Sequence, residues 1–81
     1  MKELYIKKYW EDEDILIFFH FKDDFAIRQI EVSSSKVVYL DEIHPLEGES
    51  MLCDQAILFF DYTENDVISK QEFELYWEKR W

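Results

Sequence analysis

The chain has 81 residues, 48% of them hydrophobic and 19% aromatic, with nineteen acidic side chains against nine basic ones and a formal net charge of -10. Such a surface excludes nucleic acid and anionic membrane as partners, since both need clusters of Lys and Arg. The wealth of rings excludes the disordered acidic class, which is poor in aromatic and β-branched residues, so residues 1–81 are expected to fold as one small domain.

Residues 3–10 alternate as a first strand, with Leu4, Ile6 and Trp10 on one face and Tyr5 and Tyr9 on the other. The acidic stretch Glu11-Asp12-Glu13-Asp14 makes a turn. Residues 15–22 are apolar on both faces and read as a central strand. Asp23-Asp24 turns the chain into a third strand at about 25–32, and Ser33-Ser34-Ser35 leads to a fourth from Lys36 to Leu40 or Ile43. Four strands with short links predict an antiparallel meander.

The stretch 41–55 holds Pro45, Gly48 and the carboxylates Asp41, Glu42, Glu47 and Glu49. It reads as a long surface loop with a helical turn near 50–55. Residues 56–62 are apolar and β-prone, although a helix starting at Glu49 could absorb them. The C-terminus is clearer. Ser69 and Glu72 have the spacing of a capping box, Ile68 and Phe73 that of a hydrophobic staple. Phe73, Tyr76, Trp77 and Arg80 share a helical stripe, with Lys79 and Arg80 in the last turn, where cations suit the helix dipole. The expectation is a helix over about 70–80 packed by Phe73 and Trp77 on one sheet face. The fold class is therefore α+β: an antiparallel β-meander of four to five strands with a C-terminal α-helix.

Cys53 is the single cysteine, so no internal disulfide is possible, which fits a reducing compartment and a buried, inert thiol. Met1-Lys2-Glu3-Leu4 does not lead from a basic segment into an apolar one. The longest apolar run, Ile15 to Phe19, is far too short to cross a bilayer. A cytoplasmic protein is expected.

Catalytic signals are weak. His20 sits on a strand face beside Phe18 and reads as a satisfied histidine; His44 and Cys53 do not form a defensible dyad. One glycine cannot build a phosphate loop, and no CxxC or HExxH occurs. The expectation is no enzyme, no cofactor and no metal. One stretch does resemble a calcium-binding EF-hand loop. In Asp61-Tyr62-Thr63-Glu64-Asn65-Asp66-Val67-Ile68-Ser69-Lys70-Gln71-Glu72 the resemblance makes Asp61, Thr63, Asn65 and Glu72 ligands, with the carbonyl of Val67. It departs at the sixth position, where Asp66 replaces the glycine needed for φ > 0, and it lacks a paired second loop.

The acidic clusters are the remaining constellation. Turn carboxylates keep an apolar chain in solution, but an imbalance of -10 on so small a domain exceeds that need. Surplus negative charge speeds association with a basic target. The candidate binding residues are Glu11, Asp12, Glu13, Asp14, Asp23 and Asp24, followed by Asp41, Glu42, Glu47 and Glu49.

Three runs, Tyr5-Ile6-Lys7-Lys8-Tyr9-Trp10, Ile15-Leu16-Ile17-Phe18-Phe19 and Ile27-Arg28-Gln29-Ile30-Glu31-Val32, resemble a family of small bacterial proteins. The closing stretch Ile68 to Trp77 is similar to that family's C-terminal end. Some of its members are immunity proteins of polymorphic toxins, as in contact-dependent growth inhibition. The resemblance implies an immunity protein that neutralises a cognate toxin; with the acidic surface, which suits the cation-lined site of a basic nuclease, the expectation is stoichiometric, metal-independent occlusion of that active site. This chain departs after residue 32, where Ser33-Ser34-Ser35 stands for an Asp-Gly or Asn-Gly turn and the loop 41–55 is its own. Two other readings stay open, an EF-hand-like calcium module at 61–72 and a nucleic-acid-mimicking inhibitor.

Overall fold

The computed structural model describes residues 2–79, apart from the side chain of Phe59. Four strands follow one another as a meander: β1 (Glu3–Trp10), β2 (Ile15–Lys22), β3 (Phe25–Val32) and β4 (Val37–Asp41). A short hairpin follows, β5 (Leu46–Glu47) with β6 (Ser50–Met51). After 3₁₀ turns at Ile57–Phe59 and Glu64–Asp66, β7 (Val67–Ile68) pairs antiparallel with β1, and helix α1 (Lys70–Trp77) closes the chain. The main sheet is five-stranded in the order β4-β3-β2-β1-β7, so the fold is α+β as expected.

Two-residue alternation sorts the side chains. Tyr5, Phe18 and Ile30 point to one face and form a cluster with Phe73 and Trp77 of α1, against which Leu16, Val32, Tyr39 and Ile68 pack. Phe18, Ile30 and Phe73 are fully buried, each contributing about 1.5–3 kcal/mol of apolar transfer. Ile6, Ile17, Phe19, Phe21 and Ala26 point to the other face. Strand β2 is apolar on both sides because both sides are covered.

The tight links use the residue types that tolerate them. Asp14 (φ 53°) and Asp23 (φ 59°) are left-handed, a conformation open to Asp because its short side chain bonds locally. A bulge between His20 and Phe21 shifts the β2–β3 register, so that His20 lies opposite Arg28 while Phe21 lies opposite Ala26.

Three expectations need correction. The stretch 41–55 is more than a surface loop: residues 42–49 are exposed, but it holds the β5–β6 hairpin, and Leu52 and Cys53, with Ile57, Phe60 and Tyr62 beyond it, pack on the second face of the sheet. Residues 50–55 hold β6 rather than a helical turn, and 56–62 contains a 3₁₀ turn, while the fifth strand of the main sheet is β7. The apolar spacing near 56–62 fits neither helix nor strand because Ile57, Phe60 and Tyr62 serve as single plugs for a sheet face. Helix α1 ends at Trp77, so Lys79 lies just past the last turn with its Nζ 5.5 Å from the centre of the Tyr76 ring. Arg80 lies outside the described residues. Among those residues no helix is long and apolar enough to cross a membrane.

Candidate functional site

Two arrangements of polar groups stand out, one beneath the helix and one at an end of the sheet. Beneath α1, Arg28 donates through both terminal nitrogens to the Glu74 carboxylate at 2.9 Å each. Its Nε donates to Nδ1 of His20 at 2.9 Å, and Nε2 of His20 lies 2.8 Å from Glu3 Oε1. A guanidinium can only donate, so Nδ1 of His20 carries no proton and Nε2–H points to Glu3. Tyr5 stacks on the imidazole at 4.3 Å, and the guanidinium carbon lies 4.8 Å from the ring centre of Phe73 and 5.1 Å from that of Trp77.

His20 is only 3% exposed, and burial pushes its pKa down; the Glu3 hydrogen bond opposes that, and the Arg28 charge adds to it. The hydrogen bond from His20 holds Glu3 below the ordinary carboxylate value, and the bond from Arg28 does the same for Glu74. The chain Glu3–His20–Arg28–Glu74 thus joins β1, β2, β3 and α1. Sequence reasoning found the satisfied histidine and missed its partners. The available signal was a polar pair, His20 and Arg28, inside two otherwise apolar adjacent strands; nothing local marked Glu74.

Three intramolecular ion pairs follow one pattern. Lys7 pairs with Glu72 at 3.1 Å, Lys8 with Asp66 at 3.5 Å and Arg28 with Glu74. All three carboxylates lie near or on α1. The candidate binding carboxylates are treated differently. Glu11, Asp12, Glu13, Asp24, Glu42, Glu47 and Glu49 are exposed, and among the described residues no Lys or Arg stands within 4 Å of any of them. Asp14 accepts from the Tyr9 hydroxyl, Asp23 from the backbone N–H of Lys2 at 3.2 Å, and Asp41 from the N–H groups of Ile43 and His44 at 2.9 and 2.7 Å.

The sheet divides these residues between its ends. Asp23, Asp24, Asp41 and Glu42 lie where β2 turns into β3 and β4 finishes. Glu11 to Asp14 lie at the opposite end, and the β5–β6 hairpin brings Glu47 and Glu49 toward them. Between hairpin and sheet a cleft of about 770 Å³ opens, lined by apolar Ile15, Ile17, Val38 and Phe60, by Trp10 at its mouth, and by Glu13, Glu31 and Glu49 against Lys36. Trp10 is 45% exposed.

One polar side chain shapes the cleft. Gln29, 3% exposed, accepts from Cys53 N–H at 2.8 Å and donates to Met51 O at 3.2 Å and Glu31 Oε2 at 2.8 Å. Ser50 Oγ donates to the other Glu31 oxygen at 2.9 Å. Glu31 is therefore half-buried and held by neutral donors on both oxygens. Neither Gln29 nor Glu31 was singled out from sequence, because the loop they hold is distant along the chain. Cys53 is half-buried rather than fully buried, with its Sγ 3.9 Å from Gln55 O.

The segment 61–72 does not take the shape of an EF-hand loop. A 3₁₀ turn and extended chain precede it where an entering helix belongs. Asp66 is not left-handed; its carboxylate accepts from Thr63 N–H at 3.0 Å, which with Lys8 holds its pKa down. Glu72 does not reach back to cap: Ser69 Oγ accepts from Glu72 N–H at 3.0 Å, while the Glu72 carboxylate takes Lys7 instead. The Lys8 Nζ occupies the Asp61 carbonyl at 2.6 Å. Of the expected ligands, Glu72 is thus spent on Lys7, while Lys8 takes the neighbouring Asp66 carboxylate and the Asp61 main chain.

No protein-family model matches the chain, and neither a curated protein nor a solved structure matches it.

Proposed function

We propose that this chain is an immunity-type inhibitor, which captures a cationic bacterial toxin domain, of the nuclease kind, and blocks its active site without chemistry of its own. One observation carries the reading: Lys7, Lys8 and Arg28 pair with Glu72, Asp66 and Glu74, while among the described residues no Lys or Arg stands within 4 Å of the turn carboxylates. A small domain that keeps such charge accepts self-repulsion, which a basic partner would relieve.

The end bearing Glu11, Asp12, Glu13, Glu47 and Glu49 is the favoured surface. It combines carboxylates with the half-exposed rings of Tyr9 and Trp10, and interfaces are enriched in such rings. Asp23, Asp24, Asp41 and Glu42 face away from it, and the carboxylates of Asp23 and Asp41 already accept backbone N–H groups. A nuclease site that holds phosphates presents Lys and Arg, which these carboxylates would meet across the interface.

The test is co-expression with the product of the adjacent upstream gene, followed by capture through a tag on this chain. A basic partner retained in equal stoichiometry, with its toxicity suppressed, supports the reading. A partner that is a DNA-binding enzyme rather than a toxin supports nucleic-acid mimicry instead, and no retained partner removes the inhibitor reading.

A further inference from the structure

We propose that the cleft between the sheet and the β5–β6 hairpin receives an arginine side chain carried on an extended apolar segment of the partner, with Glu31 as the receiving carboxylate. The proposal rests on the inhibitor reading and gives it a recognition chemistry.

Three features lead to it. The first is size: about 770 Å³ is within the range of cavities that bury a small ligand, enough for a few side chains and too little for a folded element. The second is charge: among the described residues the lining holds Glu13, Glu31 and Glu49 against Lys36, so an apolar occupant without a cation leaves carboxylates to be desolvated unpaired.

The third feature is the orientation of Glu31. Ser50 Oγ and Gln29 Nε2 each hold one of its oxygens, and Gln29 is itself fixed by Cys53 N–H and Met51 O. A carboxylate oxygen accepts more than one hydrogen bond, so both Glu31 oxygens retain acceptor capacity for a planar donor fork. Its orientation is set before a partner arrives, which lowers the ordering cost of binding.

Arginine suits this place better than lysine. The ring of Trp10 stands half-exposed at the mouth, beside Glu13, and a guanidinium stacks on such a ring while reaching a carboxylate. An ammonium offers a point charge and no flat surface. Ile15, Ile17 and Val38 along the lining suit the methylene stem and an apolar neighbour.

The probe is the peptide acetyl-Leu-Arg-Leu-Arg-Leu-amide, compared with its Lys and Glu counterparts and followed by ¹H–¹⁵N chemical-shift titration of the intact protein. The Arg peptide should shift the amides of Gln29, Glu31, Gly48 and Ser50, the Lys peptide should bind about tenfold more weakly, and the Glu peptide should not bind. Glu31→Gln should weaken the Arg peptide about tenfold. Should Glu31→Gln not fold, Trp10→Ala and Glu13→Gln, both exposed, carry the same test, with about threefold losses expected at an unchanged melting temperature.

Shifts confined to Asp23, Asp24 and Glu42, equal binding of Arg and Lys peptides, or folded variants that bind like the parent would each overturn the arginine cleft. The two proposals fail separately. A co-expressed partner whose capture ignores Trp10→Ala and Glu31→Gln leaves inhibition standing and removes the cleft. Arg-peptide binding with no partner captured keeps the cleft and removes inhibition.

Discussion

Arg28 and Gln29 are neighbours on β3, point to opposite faces of the sheet, and each fastens the layer that covers its own face. Arg28 holds α1 through a charged clasp: two bonds to Glu74, one to His20, and two aromatic rings over its guanidinium. Gln29 holds the 51–53 segment through neutral bonds to Met51 O and Cys53 N–H. The helix face is closed over buried rings, whereas the loop face leaves a cleft. The contrast teaches that one sheet can separate a structural side, where charge is spent internally, from a side where charge remains available.

Packing should expose the difference most strongly. Phe73 is fully buried between helix and sheet, so Phe73→Ala should cost about 3–5 kcal/mol and leave the domain largely unfolded. Phe60 is half-buried and packs edge-on to Phe19 at 4.8 Å, so Phe60→Ala should cost about 1–2 kcal/mol. Equal losses in urea unfolding would mean that both faces are closed cores and that the cleft is not a distinct region.

The two clasps should differ next, in size and in their response to pH. Arg28→Met removes the bidentate partner of Glu74 and the donor to His20, and should cost about 2 kcal/mol at neutral pH. Gln29→Leu leaves Cys53 N–H and Met51 O without their partner and should cost about 1–2 kcal/mol. His20 has a lowered pKa when folded, so above its unfolded value of about 6.5 both states are neutral and its full contribution is present. As pH falls below that value the unfolded chain binds the proton first, and stability drops until the folded histidine titrates too. Protonation at Nδ1 would set an N–H against the Arg28 N–H. Glu3 and Glu74, lowered by their partners, add a second loss below about pH 4.5. His20→Gln should flatten the upper step in thermal unfolding, and the cost of Gln29→Leu should stay constant across that step. A pH-independent melting temperature between 7 and 5 would contradict the neutral, clasped histidine.

The sequence made the meander and helix legible because each strand has turn residues at its ends and Ser69 caps α1 at the expected place. It did not reveal the second layer. Leu52, Ile57, Phe60 and Tyr62 carry no periodicity, since they pack on the sheet from extended chain and a single 3₁₀ turn rather than from one regular element. The acidic turns were visible, and the meander alone sets 11–14 and 23–24 at opposite ends of β2; the end to which Glu47 and Glu49 belong follows from the hairpin direction, which short β5 and β6 do not announce. The EF-hand pattern misled because a polar turn followed by a capped helix uses the same residue types, and Lys7, 65 residues from Glu72 in the chain, and Lys8 pair with Glu72 and Asp66.

The central proposal is that the uncompensated end of the sheet draws in a cationic partner, and the association rate with the captured partner as a function of ionic strength tests it most directly. The rate should fall steeply between low and physiological salt, and Glu11→Gln combined with Glu13→Gln and Glu49→Gln should lower both the rate and its slope while the melting temperature holds or rises. A rate indifferent to salt, or a triple variant that associates like the parent, would contradict it.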